Sequence, residues 1–175
     1  MVPKTIYIMK LIAPTKKYAE SWQEAIKEFE AEERRGFWNV PEKPKEIEEY
    51  IQRTKDHSES KNLPDYWVPA TTFWLMDKEE FVGHVNVRHE LNDHLLEIGG
   101  NIGYAIRPSA RRKGYGMAIL KLVLPKAKEV GLKKALVTCD ESNPASKKII
   151  EANGGELENI IPGDDGPKRR YWIEL

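Results

Sequence analysis

Ile102-Gly103-Tyr104-Ala105-Ile106-Arg107-Pro108, followed after Ser109 and Ala110 by Arg111-Arg112-Lys113-Gly114-Tyr115-Gly116, is the stretch on which the fold of this chain turns. Its first half predicts a strand from about Asn101 to Ile106, ended by Pro108. From Gly116 onward Ile119, Leu120, Val123, Leu124, Ala127 and Val130 recur at helical spacing and form one apolar stripe. Strand, basic glycine turn and helix therefore follow in direct succession. A helix N-terminus offers unpaired N–H groups and a partial positive charge, so it attracts phosphate. Gly114 and Gly116 allow the backbone to approach an anion, and Arg111, Arg112 and Lys113 add charge at the same place. Two phosphates suit the arrangement better than one, because consecutive amides fan around them. Taken alone, the six-residue turn reads about equally well as a solvated basic turn, since short motifs match by chance.

Upstream of this stretch, Ile6 to Ile12 predicts a first strand, stopped by Pro14. Thr15 is placed to cap a helix in which Tyr18, Trp22, Ala25, Ile26 and Phe29 share one face. A second helical pattern follows Pro44, with Ile47, Tyr50, Ile51 and Thr54 on one side, and a polar loop spans Asp56 to Pro64. Ala70 to Met76 and Phe81 to His89 read as a hairpin about the turn Asp77-Lys78-Glu79-Glu80. The segment around Asn92 and Asp93 reads as a loop.

Downstream, Pro125 removes one backbone donor from the long helix and predicts a kink, and Gly131 predicts its end. A strand over Ala135 to Asp140, a short helix from Pro144 to Asn153, and strands near Glu156–Ile161 and Arg170–Glu174 complete the chain. The order β-α-α-β-β-β-α-β-α-β-β gives an α/β layer with mixed strand directions.

The 175 residues suit a single domain, 1–175, with a real core. Lys plus Arg number 28 and Asp plus Glu number 28, which argues against a chain built mainly for nucleic acid or an acidic membrane surface. One cysteine, Cys139, excludes a disulfide framework within the chain and fits a reducing compartment. Lys4 and Lys10 interrupt the first apolar stretch, so no signal-peptide or spanning pattern opens the sequence, and a cytoplasmic location is expected.

The strand, turn and helix together resemble the acetyl-CoA motif of the GCN5-related N-acetyltransferase (GNAT) family, whose turn is Gln or Arg, two residues, Gly, one residue, Gly or Ala. Arg111, Gly114 and Gly116 fit it. Asn143-Pro144-Ala145-Ser146 and Glu151-Ala152-Asn153-Gly154-Gly155 resemble the family's next strand-to-helix motif. The likeness covers about Phe81 to Gly155. Arg88-His89-Glu90-Leu91-Asn92 with Gly99-Gly100 points to a bacterial subgroup of acetyltransferases with undefined substrates.

The resemblance implies a GNAT-like fold, a mixed central sheet with helices on both faces. It also implies acetyl-CoA as acetyl donor and an amine acceptor on a small molecule or peptide. It assigns the backbone of Tyr104, Ala105 and Ile106 to the pantetheine arm and the turn Arg111, Arg112, Lys113, Gly114, Tyr115 and Gly116 to the pyrophosphate. Asn143 would serve both pantetheine and its own helix as N-cap, and Ser146 would contact the cofactor or satisfy its helix. Two positions depart from the family pattern: Ile150 stands where many relatives carry a Tyr acid, and Gly100 where others carry a Glu base. The amine must lose a proton before it attacks. Glu97 is the first candidate base, with His94 and Glu90 as alternatives and a water chain also open.

His84 and His89 point to opposite faces of a regular strand, and with His94 they lack the cysteine or close carboxylate that would complete a set, so no metal is expected. Cys139 reads as strand packing rather than a nucleophile. Phe37, Trp38, Tyr66 and Trp67 are candidates to line an acceptor pocket, and Glu42, Glu46, Glu48 and Glu49 either attract a cationic amine or form a solvated helix face. An exposed final strand is free to pair with a second copy, which keeps a homodimer open. The rival functions are a non-catalytic acyl-CoA-binding or sensing domain and, less well supported, a nucleic-acid-binding domain.

Overall fold

A computed structural model describes residues 9–32 and 46–175. Strand β1 (Met9–Ile12) leads through a short 3-10 turn at Lys16–Tyr18 into α1 (Ala19–Ala31), and α2 (Ile47–Ser58) follows. The hairpin β2 (Ala70–Asp77) and β3 (Glu80–Arg88) precedes a short helix α3 (Asp93–Glu97) and strand β4 (Ile102–Ile106). Helix α4 (Tyr115–Glu129), strand β5 (Lys134–Asp140), helix α5 (Pro144–Ala152) and strands β6 (Glu156–Ile161) and β7 (Lys168–Glu174) complete the chain.

The expected layer divides in two: β1-β2-β3-β4 form one antiparallel sheet and β5-β7-β6 another. Helices cover both faces. Alternation on β2, matched on β3 by a bulge at Val82 that reverses the facing of Phe81, explains how one sheet serves two cores. Leu75, Val85 and Val87 face α4 in a core shared with Ile102, Ile119, Leu120, Val123, Ala135, Val137, Ile150 and Tyr171. Trp74 and Phe81 face the other way, against Trp22, Phe29 and Tyr50 of α1 and α2. There Trp22 and Trp74 stack at 6.0 Å between centroids and Phe81 meets Trp74 edge-on at 5.3 Å, geometries that add to burial itself.

All five residues of the first helical stripe are buried, Tyr18 in the 3-10 turn that Thr15 caps and the rest in α1. Helix α4 runs on through Pro125, whose ring lies at the surface. Gly131, at φ +98, then ends it, with Leu132 N–H donating to Ala127 O at 3.2 Å.

Two local expectations are corrected. The segment after Asn92 is a helical turn rather than a loop, because the Asn92 side chain accepts from Leu95 N–H at 2.9 Å and caps it. The polar stretch from Asp56 begins inside α2, which continues to Ser58. The expected first-strand residues Ile6 to Ile8, the aromatics Phe37 and Trp38, and Glu42 lie outside the described residues.

Candidate functional site

The two sheets present their edge strands, β4 and β5, to each other. They are fastened at Asn101, which donates its N–H to Leu136 O at 2.7 Å and accepts from Leu136 N–H through Oδ1 at 2.9 Å. A further tie runs from Gly99 N–H to Thr138 Oγ1 at 3.1 Å. Gly100 makes this approach feasible. It adopts φ +63, and a Cβ there would overlap the carbonyl of Leu136. At Gly100, near which the resemblance would place a carboxylate, this backbone thus has no space for a side chain.

Beyond Asn101 the two edges separate. Arg107 N–H donates to Val82 O at 2.9 Å, and the register pairs Ala105 with His84 and Gly103 with Asn86. Antiparallel alternation therefore turns the backbone groups of Ile102, Tyr104 and Ile106 away from β3, toward the opening. Of the three strand residues expected to hold a pantetheine arm, Tyr104 offers both backbone groups to that edge and Ile106 its N–H, its carbonyl accepting from Arg111, whereas those of Ala105 are engaged with β3. The Tyr104 side chain reaches toward Ser146 of α5, with its hydroxyl buried and short of a well-formed hydrogen bond. Burial pushes its pKa up to about 12, so it stays a neutral phenol near pH 7.

At the far end of β4 lies the basic turn. Arg112 takes φ +63 and Gly114 φ +85, so the chain curls twice before α4 begins. The N–H groups of Arg112, Lys113, Gly114 and Gly116 make no hydrogen bond among the described residues. Together they form a concave set of donors at a helix N-terminus. The side chains of Arg112 and Lys113 are exposed beside it, and that of Tyr115 is buried, with its hydroxyl donating to Asp77 at 2.6 Å.

Arg111 behaves differently. Its guanidinium pairs with both oxygens of Glu32 at 2.6 and 2.8 Å and donates through Nε to Ile106 O at 3.2 Å. It braces the turn against α1. Gly116 also differs from the simple expectation, because a Cβ there would lie 2.6 Å from Cδ1 of Ile149. Its lack of a side chain lets α4 and α5 pack closely.

On the β5 arm, Asn143 caps α5 by accepting from Ser146 N–H at 3.1 Å, while its Nδ2 makes no hydrogen bond among the described residues. One oxygen thus serves the helix and the amide nitrogen remains available to a ligand. Ile150 is fully buried in the shared core, with no exposure to the opening. Cys139 is buried in the same core, and burial raises its thiol pKa, as expected of a packing residue.

The three candidate bases gather near the fastened end. Glu97 and His94 lie on α3 and Glu90 just before it, and all three are exposed. None makes a side-chain hydrogen bond among the described residues. Helix α3 is tied to the junction by Gly100 N–H to Leu95 O at 2.9 Å. His84 instead packs against Phe29 and His89 meets Thr71 Oγ1 at 2.8 Å, so the histidines do not converge. Tyr66 is 75% exposed, whereas Trp67 packs on His57. Glu48 pairs with Lys16 and Glu49 with Arg53, which fits a solvated helix face.

Reasoning from sequence missed two residues at the junction: Asn101, which joins the strands, and Arg88, whose Nη1 donates to the carbonyls of Gly99 and Gly100 at 3.1 Å each. Arg88 stands in the subgroup motif with Gly99-Gly100, but neither residue's role is readable locally, because each acts on a segment brought close only by the fold. No described helix is long and apolar enough to cross a membrane.

The residues present fit an elongated ligand with an amide-rich arm and a pyrophosphate: two open strand edges, a free amide at Asn143 and a cradle of unpaired N–H groups. The fold is shared with known proteins. The acetyltransferase (GNAT) domain model matches residues 10–156. No curated protein matches the sequence closely enough to be a relative. Among solved structures, the microcin self-immunity acetyltransferase MccE, in complex with acetyl-CoA and AMP, superposes with a TM-score of 0.65 at 18% identity, covering 95% of this chain and 92% of its own. The enzyme AAC(6')-Ib, in complex with ribostamycin and coenzyme A, gives 0.64 at 15% identity, covering 95% and 93%. A chimera of spermidine N-acetyltransferase SpeG from Vibrio cholerae and hSSAT gives 0.64 at 16%, covering 95% of each. With the matched region running from the first strand through both arms of the opening and the glycine turn between them, this chain belongs to the GNAT acetyltransferase family.

Proposed function

We propose that the chain transfers the acetyl group of acetyl-CoA to a primary amine of a small molecule or peptide by direct attack. One observation carries this reading: the edges of β4 and β5, closed at Asn101, open toward the unpaired N–H groups at the start of α4. Tyr104 and Ile106 would bind the pantetheine arm as an added strand would, with Asn143 Nδ2 donating from the other side. The N–H groups from Arg112 to Gly116 would hold the pyrophosphate, assisted by the exposed charges of Arg112 and Lys113.

When bound, acetyl-CoA supplies a thioester carbonyl at the closed end of the opening. An amine that has lost its proton attacks that carbonyl carbon; a C–N bond forms and the C–S bond breaks. The cleft-facing N–H groups of β4 are the natural donors to the carbonyl oxygen. Glu97, His94 or Glu90 would accept the amine proton, directly or through water. The departing thiolate needs little acid assistance, since a thiol of pKa about 8.5 is a modest base at neutral pH. This suits a site where Ile150 replaces the tyrosine of relatives. AAC(6')-Ib with ribostamycin and the spermidine acetyltransferase SpeG support an amine acceptor.

Calorimetric titration with acetyl-CoA, alongside Gly114→Glu, tests the reading. The intact protein is expected to bind and the variant to lose binding, because it sets a carboxylate where the pyrophosphate belongs. No binding by the intact protein sinks the proposal. The buried Ile150 and the crowded Gly100 favour a second reading, a non-catalytic acyl-CoA-binding domain. Thiol release with a panel of amines, corrected for hydrolysis, separates the two.

A further inference from the structure

Arg88 ends β3 on the face turned toward α1 and α2, in register with Asn86 and His84 on the same strand. It lies over β4: a Cβ on Gly103 would sit 3.5 Å from its Nη1 and 3.7 Å from its Nη2. Nη1 is used by the carbonyls of Gly99 and Gly100. Nε and Nη2 donate to nothing among the described residues, and neither atom is sealed from solvent. These two atoms form the side-on fork of a guanidinium, the edge that matches two oxygens of one anion.

The surroundings of Arg88 are unusual for this molecule. Arg107, which is buried, has Glu24, Glu28 and Glu80 around it, and Arg111 has Glu32. Arg88 has no carboxylate in salt-bridge reach among the described residues, and burial alone lowers its pKa. A half-buried cation without a counter-ion is costly to keep. Its position is also specific. It braces the carbonyls of Gly99 and Gly100, immediately before the Asn101 junction, so its free edge lies at the closed end of the opening and on the sheet face away from α4.

We propose that Arg88 receives an acidic group of the acceptor, so that the substrate is an amine that also carries a carboxylate or phosphate. This rests on the acetyltransferase reading, which sets the reacting carbonyl at the same closed end. It separates this chain from an acetyltransferase for simple polyamines, whose acceptors have no anion to offer. Gly103 keeps the space above β4 clear, and Nε with Nη2 would bind the anion as a pair.

The test uses the full chain with 15N-labelled arginine side chains and bound coenzyme A. The Arg88 Nε–H resonance is assigned by its loss in Arg88→Lys. N-acetylglycine, N-acetylglycinamide and O-phosphoethanolamine are then titrated at constant ionic strength. A saturable shift with either anionic probe and none with the amide supports the proposal, and the responding probe tells carboxylate from phosphate. In turnover, glycine or O-phosphoethanolamine is expected to exceed glycinamide in kcat/KM by at least tenfold. Arg88→Gln should level that preference while still binding acetyl-CoA. If acetyl-CoA binds normally while no anion moves the resonance, or if only amines without an acidic group are acetylated, the proposal is overturned and the acetyltransferase reading stands. If acetyl-CoA does not bind, that reading falls and this proposal with it.

Discussion

Three glycines of the site have three different reasons to be glycine. At Gly114 the reason is conformational: φ is +85 and nothing lies within 4 Å of a Cβ. At Gly116 it is a neighbouring helix, since Ile149 Cδ1 occupies the space. At Gly100 both apply, because φ is +63 and the obstruction is the carbonyl of Leu136, which is held by the backbone. Gly114→Ala is therefore expected to cost about 1–2 kcal/mol, the ordinary penalty of a left-handed residue. Gly100→Ala must add the displacement of β5 from β4 and is expected to cost at least about 2 kcal/mol more, of the order seen for overpacked cores. In thermal melts about 2–4 °C accompany each kcal/mol in a chain of this size, so Gly100→Ala should melt several degrees below Gly114→Ala. Equal melting temperatures would show that the junction yields easily and that Gly100 does not set the strand spacing. The sequence reveals Gly114 through its motif. It says nothing of the crowding at Gly100, because Leu136 lies 36 residues away in the chain (136 − 100).

Among the elements, local pattern made most of the fold readable and contact across the chain hid the rest. The stripes of α1, α2 and α4 were legible because each has an apolar face at helical spacing, and β2, β3 and β5 because of their β-formers. Helix α3 was hidden: five residues are too few for periodicity, and only the Asn92 cap betrays it. The division of the layer into two sheets was hidden too, because strand sequences do not state which edges stay apart. That division has a direct consequence for β4. Gly103 and Ala105 have their amides paired with β3, whereas Tyr104 and Ile106 point theirs into the opening. Hydrogen exchange followed residue by residue should show Tyr104 and Ile106 exchanging faster than Gly103 and Ala105 in the free protein. Acetyl-CoA should slow the first pair at least tenfold and leave the second nearly unchanged. Uniform protection along the strand would mean that the ligand acts by general tightening and not by pairing with this edge.

The whole molecule has two sheets but, on its α4 side, one core. Val85, Val87 and Ile102 of the first sheet and Ala135, Val137, Tyr171 and Ile173 of the second belong to the same buried cluster, closed by α4 and by Ile150 of α5. The sheets are therefore separate in hydrogen bonding and joined in packing, which allows an opening between them without making them independent units. Asn101 is the chief polar link: 2% exposed, it satisfies both backbone groups of Leu136 and donates from Nδ2 to Arg88 O at 3.3 Å. Asn101→Ala keeps the backbone bond but strands the buried Leu136 N–H, a loss of about 1–3 kcal/mol. The shared core predicts that this loss lowers the melting temperature by roughly 2–12 °C while unfolding stays a single transition, with the far-UV and near-UV signals coincident. Acetyl-CoA, by bridging β4 and β5, should raise the melting temperature of the variant and of the unaltered chain alike, since the arms remain joined through α4 and α5. Two resolved transitions in Asn101→Ala would contradict the single core. They would make this one side chain, rather than the packing beneath it, the reason the two sheets fold as a unit.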